Sequence, residues 1–256
     1  MKKLTLLLIA VACLCSGKAN AQDGKGSINF VPYVGINNSN FSGDADYYFG
    51  ETSGKLNLMT GVRFDFQILD KSAIIADVNY RRLGATTGKA IHWHGMDYPY
   101  GGFAFGDYNK VEIHEIAKEH QGLVDESTKV TLDCISLAVQ FKQNIIKGLS
   151  ARVGVEGIVR FSEKIHYHRY NYRLYQETGK CEESDGTSDA SGCFSDHINA
   201  AIPLGLTYDC NNFCINATYH LPLTKCLEEE KWGEKYSMKY QAFDITVGYR
   251  LPLRKR

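Results

Sequence analysis

Nine charged residues recur in segments that otherwise alternate between apolar and polar positions. Five are arginines and four are acids: Arg63, Arg81, Arg152, Arg160, Arg250, Asp65, Asp77, Glu156 and Asp244. Successive residues of a β-strand point to opposite faces, so each of the nine falls on the polar face of its segment. A set of this kind can form a paired, buried network of ions, or it can line a narrow pore or a proton path. The balanced signs favour the paired network, with the pore as the alternative.

Two pairs of histidines have the spacing of side chains that share one face of a strand: His92 with His94, and His166 with His168. Such a pair could contribute two ligands to a metal ion. No Cys, Asp or Glu stands at a fixed ligand spacing beside either pair. We therefore predict no metal site and no cofactor, and keep the four histidines as weak metal candidates.

Catalytic residue types also occur at positions 162–168 and 196–197. They are Ser162, His166, His168, Asp196 and His197. Such residues could act in a lipid-modifying enzyme at the rim of a barrel. No nucleophile elbow or paired-acid motif accompanies them, so we predict no enzymatic activity.

The segments that carry the nine charges alternate with a period of two. In the last one, Phe243, Ile245, Val247, Tyr249 and Leu251 form one face, and Asp244, Thr246, Gly248 and Arg250 form the other. Aromatic residues near both ends of an apolar face are typical of a strand that crosses a bilayer.

Eight such segments can be recognised. They are Ile28–Asn37, Lys55–Leu69, Ser72–Leu83, Val130–Lys142, Leu149–Ser162, His197–Tyr208, Phe213–Leu223 and Tyr240–Leu253. Short connectors alternate with long ones, and the long ones are 38–54, 84–129, 163–196 and 224–239. This pattern predicts an all-β, eight-stranded, antiparallel, up-and-down transmembrane β-barrel with short periplasmic turns and long extracellular loops. A soluble eight-stranded barrel, such as a lipocalin, is disfavoured, because a dry core would not accommodate the nine charges and because the aliphatic face has aromatic residues at its ends.

The N-terminus agrees with export to the cell outer membrane. Residues 1–21 combine Lys2 and Lys3, a short apolar run and the Ala19-Asn20-Ala21 site, and are predicted to be a secretory signal peptide. Lipid attachment at Cys13 is a minor alternative. The barrel domain is then 22–256, with 26 basic against 29 acidic residues. The sequence contains no block of basic residues that would suit binding to nucleic acid.

Six cysteines remain in residues 22–256, and an oxidising compartment favours their pairing. Cys181 and Cys193 share one long loop, and Cys210 and Cys214 flank the Asn211-Asn212 turn. These are the two disulfide candidates, which leave Cys134 and Cys226 to pair. Six cysteines allow 15 pairings, so the connectivity stays open.

Three segments resemble the PorT-type outer-membrane beta-barrel proteins, a group of small eight-stranded barrels. They are the opening hairpin 34–43, the third-strand segment 76–85 and the closing Val247-Gly248-Tyr249-Arg250-Leu251. The resemblance spans residues 22–256 and implies the fold and an outer-membrane location, but no reaction. The long segment 84–129 and the six cysteines depart from the family pattern.

The resulting hypothesis is a barrel with a structural or surface-binding role. Outer-membrane lipid is the expected partner of the barrel wall. Loops 84–129 and 163–196, of which the first is rich in Gly and Tyr, are the candidate contacts for an extracellular protein or glycan. A transport or secretion accessory is the alternative role.

Overall fold

The computed structural model describes residues 25–44, 52–87, 90–95, 98–105, 122–175, 180–192, 194, 196–231 and 234–254. These residues form fourteen β-strands. They are β1 (Ile28–Gly43), β2 (Thr52–Leu69), β3 (Ser72–Leu83), β4 (Ala85–Thr87), β5 (Ala90–Gly95), β6 (Tyr98–Phe105), β7 (Gly122–Ile146), β8 (Leu149–Tyr175), β9 (Lys180–Ala190), β10 (Ile198–Cys210), β11 (Phe213–Pro222), β12 (Leu227–Lys231), β13 (Glu234–Tyr249) and β14 (Leu251–Arg254).

Eight of these strands close into an antiparallel ring. The order around the ring is β1, β2, β3, β7, β8, β10, β11 and β13, and β13 pairs with β1 to close it. Ile36 lies opposite Ile245 at this closure. A closed ring leaves no backbone edge inside lipid, where an unpaired amide or carbonyl has no water to bind. The predicted eight-stranded barrel is therefore confirmed.

Three tight turns join the strands at the end of the barrel that carries both chain ends. They lie at 70–71, 147–148 and 211–212. Gly148 has φ of +81° and Asn211 has φ of +52°, the left-handed conformation that short hairpins require and that Gly and Asn adopt readily. The short connectors therefore lie where the sequence predicts them, and two of them are shorter than predicted.

The outer face of the barrel carries an exposed apolar band. On β7, Ile135, Leu137, Val139 and Phe141 point outward, and each exposes more than 40% of its surface. The other ring strands contribute similar residues, and aromatic rings lie at both borders, including the Tyr80–Phe161 and Phe213–Tyr249 pairs. An apolar surface of this extent is stable only against lipid. Among the described residues, no helix is long and apolar enough to cross a membrane.

The two faces of the strands exchange their character where the strands leave this band: the outward side chains become polar and the inward side chains become apolar. Beyond Ile135 on β7, the outward residues are Asp133, Thr131 and Lys129, while Leu132 and Val130 point inward and are fully buried. The same change occurs on β13, where Met238, Tyr240 and Ala242 are buried. The interior of the barrel is therefore polar at the height of the apolar band and apolar above that height. The position of the change marks the outer border of the lipid.

Strands extend well beyond the predicted ends on this side. β7 has 25 residues and β8 has 27, whereas about 9–11 residues cross a bilayer. Their upper parts, 122–133 and 162–175, join β5, β6 and β9 in a five-stranded layer that we call the extracellular sheet. Much of loops 84–129 and 163–196 is therefore strand rather than loop. The paired strands satisfy backbone groups that irregular loops would leave to water.

Gly84 permits a close approach at the base of this extension. Gly84 separates β3 from β4 and has a φ of +149°. A Cβ atom at this position would lie 2.2 Å from the Val130 carbonyl oxygen. Ser39 Oγ bonds both the amide and the carbonyl of Gly84 at 2.9 Å. A larger residue would push β7 away from this break.

The direction of the barrel gives a first prediction. An epitope inserted after Asp185 in β9 should be labelled on intact cells, because the extracellular sheet lies beyond the outer border of the lipid. The same epitope inserted after Asn211 should be labelled only after permeabilisation. Labelling of the Asn211 insertion on intact cells would reverse the assigned orientation.

Candidate functional site

The structure places all nine charged residues inward. Each exposes 6% or less of its surface. They do not act as isolated pairs, because Tyr33, Lys142, Asp209, Asn216 and His220 lie among them and link them into larger groups. His220 and Lys142 continue the polar parity of their strands, so their positions could be found from the alternation. We call the whole set the lumen network.

Arg81 is the centre of the upper part of the lumen network. Its guanidinium donates hydrogen bonds to Asn79 Oδ1 at 3.0 Å and Ser136 Oγ at 2.9 Å. It also forms an ion pair with Glu156 and lies 3.6 Å from Asp244 Oδ2. One cation from β3 therefore ties together acids from β8 and β13. Hydrogen bonds of this charge-assisted kind are the strongest that a buried arginine can form.

His220 bridges the same two acids. Its Nδ1 lies 2.5 Å from Glu156 Oε2 and its Nε2 lies 2.8 Å from Asp244 Oδ2. Only the imidazolium form donates from both ring nitrogens, so this geometry is satisfied by a protonated His220. Arg81 and His220 then balance Glu156 and Asp244, which gives a neutral group of four charges from four strands.

Tyr33 and Asp77 form a second group beside Arg81. The Tyr33 hydroxyl donates to Asp77 Oδ1 at 2.7 Å, and the Asn79 amide donates to the same oxygen at 3.0 Å. The Tyr33 ring lies over Gly61, where a Cβ atom would come within 2.6 Å of the ring. Gly61 therefore makes the space in which Tyr33 crosses the lumen.

The lower part of the lumen network lies near the periplasmic turns. Arg63 Nε lies 2.7 Å from Asp65 Oδ1, and Arg63 also donates to Asn216 Oδ1 at 3.0 Å. Asp209 accepts from Lys142 at 2.8 Å and from Arg250 at 2.5 Å. These contacts join opposite walls of the barrel, so they fill the lumen as well as neutralise its charges.

Arg152 departs from the expectation that every interior charge has an ionic partner. Its guanidinium donates to Thr218 Oγ1 at 2.8 Å, and no carboxylate of the described residues lies within 4.0 Å. Arg152 and Asp77 line the same small polar cavity, which has room for roughly two water molecules. Glu156 and Asp244 line this cavity as well, so Arg152 faces three carboxylates across it.

Apolar side chains fill the barrel above the lumen network. We call this set the upper apolar cluster: Phe41, Leu83, Ala85, Val130, Leu132, Cys134, Ile158, Ile165, Phe194, Ala201, Cys226, Met238, Tyr240 and Ala242. Phe194 packs on Phe41 and Tyr240 with ring centroids 5.5 and 6.4 Å apart. Arg160 donates to the Phe194 carbonyl at 2.8 Å and lies over its ring. The sequence analysis did not predict this cluster.

Arg160 therefore belongs to the border between the two regions rather than to the centre of the lumen network. Its guanidinium pairs with Glu163 at 3.0 Å, on the same strand. Together, the lumen network and the upper apolar cluster occupy the interior over the full described height of the ring.

The histidine and rim candidates do not come together in a reactive arrangement. His166 Nδ1 lies 2.7 Å from Asp189 Oδ1, and His168 lies two residues further along the outward face of β8. Within the described residues, no three His, Cys, Asp or Glu side chains form a metal cluster, and Ser162 forms no hydrogen bond to a histidine. Asp196 lies in the same short segment as His197, which instead contacts Arg160 at 3.4 Å. The side chains of His92 and His94 lie outside the described residues.

The predicted Cys210–Cys214 disulfide is not formed in the structure. Neither residue belongs to a disulfide, and in the hairpin ladder Cys214 lies opposite Asp209 while Cys210 lies opposite Phe213. Cys210 and Cys214 thus occupy ladder positions of opposite parity, which cannot bring the two sulfur atoms together. Cys214 instead contacts Arg63 at 3.5 Å. Cys134 and Cys226 are also free and belong to the upper apolar cluster, while the side chains of Cys181 and Cys193 lie outside the described residues.

Comparison with known proteins identifies a family. A family model described as outer membrane protein beta-barrel domain matches residues 20–228. No curated protein matches the chain.

Several solved structures are similar to this chain. Ail of Yersinia pestis, solved with the heparin analogue sucrose octasulfate, is 13% identical with a TM-score of 0.37 and covers 88% of this chain and 99% of Ail. Neisserial surface protein A is 10% identical with a TM-score of 0.38, over 87% of this chain and 97% of that protein. OprG of Pseudomonas aeruginosa is 12% identical with a TM-score of 0.35, over 90% and 98%. At these values the assignment rests on the family match and the strand ring.

The contacts of Arg81 give a prediction of stability. Replacing Arg81 by Ala leaves Glu156 and Asp244 buried without their arginine, which should destabilise the barrel by about 3–5 kcal/mol. Replacing the lipid-facing Val78 by Ala on the same strand should cost no more than about 1–2 kcal/mol. Urea unfolding of each variant in lipid vesicles measures both.

Arg152 supplies a matched comparison within the lumen. Because Arg152 has no carboxylate within 4.0 Å, Arg152→Ala should destabilise the barrel less than Arg81→Ala does. Equal losses for the two arginines would contradict the central place of Arg81.

The cysteines give a third prediction. In protein from the native envelope, alkylation under denaturing, non-reducing conditions should modify Cys210 and Cys214. Peptide mapping that finds these two residues linked would contradict the structure. The link between Cys181 and Cys193 stays a prediction, and the same map tests it.

Proposed function

Because the chain belongs to the outer membrane protein beta-barrel family, we propose that it acts at the cell surface as a closed, ligand-binding barrel. It is located in the outer membrane, and lipid surrounds its apolar band. The observation that carries the proposal is the combination of a filled interior and strands that continue far beyond the lipid. A filled interior offers no route for solute, so the parts that remain available to other molecules lie on the extracellular sheet.

The filled interior argues against the pore alternative. Across the lumen network, four ion pairs of 3.6 Å or less link Arg81 and His220 to Glu156 and Asp244, and these four residues lie on four strands. Above it, Phe194 packs against Phe41 and Tyr240. An eight-stranded barrel is only wide enough to be filled by its own side chains. A conducting path would require several of these contacts to break together.

The edges of the extracellular sheet support a binding role. Among the described strands, β6 pairs with β5 alone and β9 pairs with β8 alone. In the described part of the chain, each is therefore an edge strand whose outer backbone donors and acceptors have no strand partner. An extended segment of another protein can add to such an edge as a further strand. An extracellular protein is the partner that this geometry favours, with a glycan as the other ligand class.

We also propose that the chain is a PorT-type member of the family. In support, residues 34–43, which form part of β1 rather than a hairpin, meet the segment 76–85 in the structure: Asn37 Nδ2 donates to the Arg82 carbonyl at 2.9 Å, and Ser39 bonds Gly84. No enzymatic activity is proposed, because the rim residues form no nucleophile–base pair.

Conductance in planar bilayers tests the closed interior. The purified barrel should show no steady current, because the lumen network and the upper apolar cluster block the path. A stable ohmic channel from the wild-type protein would show that the pore alternative is correct. The Arg81→Ala variant, if it folds, is the informative control for leaks caused by loss of the lumen network.

Photo-crosslinking tests the binding surface. A crosslinking amino acid at Ser188 in β9 should give a discrete adduct with a surface or extracellular protein on intact cells. The same amino acid at the lipid-facing Val155 should give none. The adduct partner, once purified, should bind the wild-type barrel and bind more weakly to a variant that lacks residues 180–190. Equal binding by both would remove β9 from the proposed site.

A further inference from the structure

A group of cations lies on the outside of the barrel directly above the apolar band. It comprises Lys55 on β2, Arg82 on β3, Lys129 on β7 and Lys164 on β8, around the single carboxylate of Asp133. We call these residues the border cluster. Arg82 and Lys129 continue the outward positions of their strands beyond the apolar band, and Lys164 points outward because the irregularity at Phe161 shifts the alternation of β8 by one residue. Lys55 has the inward parity of β2, and its side chain extends sideways to β7.

Hydrogen bonds hold part of the border cluster in place. Asp133 Oδ1 accepts from Arg82 Nε at 2.8 Å and from the Tyr80 hydroxyl at 2.6 Å. Asp133 is thereby occupied by one cation and one phenol. It is the one acid within the border cluster, against four cations. The adjacent His166 and Asp189 pair with each other and add no spare carboxylate.

Lys55 shows that the border cluster carries an excess of positive charge. Its ammonium reaches across to β7 and donates to two neutral oxygens, the Val130 carbonyl at 3.1 Å and Thr131 Oγ1 at 2.5 Å. No carboxylate of the described residues lies within 4.0 Å of it. Lys55 stands one residue above the apolar band. There, burial and the neighbouring Lys129 and Arg82 cations lower its pKa to about 8, despite the opposing effect of Asp133. A cation in this position is stabilised by a bound anion.

The surroundings of the border cluster indicate which anion fits. Immediately below it lie the rings of Tyr80 and Phe161, with centroids 6.2 Å apart, and below them the apolar residues Val78, Ile135 and Leu137. A free inorganic ion would use only the cations. A lipid with an anionic headgroup would contact the cations, the aromatic rings and the apolar band. Its charged group would lie at the lysines, its interfacial region at the rings and its acyl chains along the apolar band.

We propose that the border cluster binds the phosphate group of a phosphorylated glycolipid in the outer leaflet. Lys55, Lys129 and Lys164 contact the phosphate oxygens, and Arg82 remains paired with Asp133 and positions the site. The four cations lie on four strands that are close together in the ring, so the site occupies one side of the barrel. It is separate from the lumen network and from the edges of the extracellular sheet.

A comparison of two lipids in detergent tests the proposal. Native mass spectrometry or tryptophan fluorescence titration measures binding of bis-phosphorylated lipid A and of enzymatically dephosphorylated lipid A. The wild-type barrel should bind the phosphorylated form at least tenfold more tightly. The variant Lys55→Gln with Lys129→Gln should lose this difference while keeping the heat-modifiable mobility of the folded barrel in gels.

Lys239 provides the matched control. It also points outward above the apolar band, on β13, where it pairs in register with Ser42 on another side of the ring. Lys239→Gln should leave the preference for phosphorylated lipid A unchanged. If Lys239→Gln reduces it as much as the double variant does, the attraction is diffuse and the border cluster is not a site.

Three further outcomes would overturn the proposal. Equal binding of the two lipids by the wild-type barrel would remove the phosphate from recognition. Binding of inorganic phosphate as tight as that of the lipid would make the border cluster a site for free anions. If the wild-type barrel bound heparin, the double variant did not, and neither lipid were preferred, the border cluster would be a site for a soluble polyanion.

Discussion

The structure depends on one constraint: the outer surface of each strand must match lipid over a fixed height and water above it. On β7 the outward residues are apolar from Phe141 to Ile135 and polar from Asp133 to Lys129, while the inward residues change in the opposite sense. Within the lipid the interior is therefore free to hold charge. Above the lipid, the interior must supply the apolar contacts that hold the projecting strands together, as in a soluble β-barrel.

The lumen network follows from this constraint. Charges inside the barrel are shielded from water by a closed wall, so each needs a partner, and the partners come from strands on different sides. Arg81, Glu156, His220 and Asp244 meet this requirement with contacts from four strands. Arg152 meets it only in part, which makes the cavity beside it the least constrained region of the lumen network. The upper apolar cluster then closes the path on the extracellular side.

Much of this could be predicted from the sequence. The parity of the strands identified the ring, the two faces and the inward position of all nine charges, because alternation with a period of two is a local property. The exchange of polar and apolar faces at Asp133 is also present in the sequence. It can be recognised only if the strands are continued past the residue where the outward apolar face ends. That is why 122–129 and 163–175 were predicted as loops. The upper apolar cluster was missed for the same reason.

Other features could not be found from local patterns. The partners of Arg81 depend on the stagger of the strands around the ring, which brings together residues as distant as 81 and 220. The lack of a Cys210–Cys214 disulfide follows from the register of one hairpin. The spacing suggests a disulfide across the turn, whereas the ladder places the two residues on opposite faces. Lys55 reaches β7 only because Gly84 interrupts the strand between them.

Spin labels placed one at a time along β7, in a background without the native cysteines, test the central claim most directly. The claim is that lipid ends between Ile135 and Asp133 and that the interior is closed. Labels at 135, 137 and 139 should be accessible to oxygen, labels at 129 and 131 to a water-soluble nickel chelate, and labels at 136, 138 and 140 to neither. Access of the nickel chelate to 136 and 138 would reveal an open, water-filled lumen and contradict this account of the barrel.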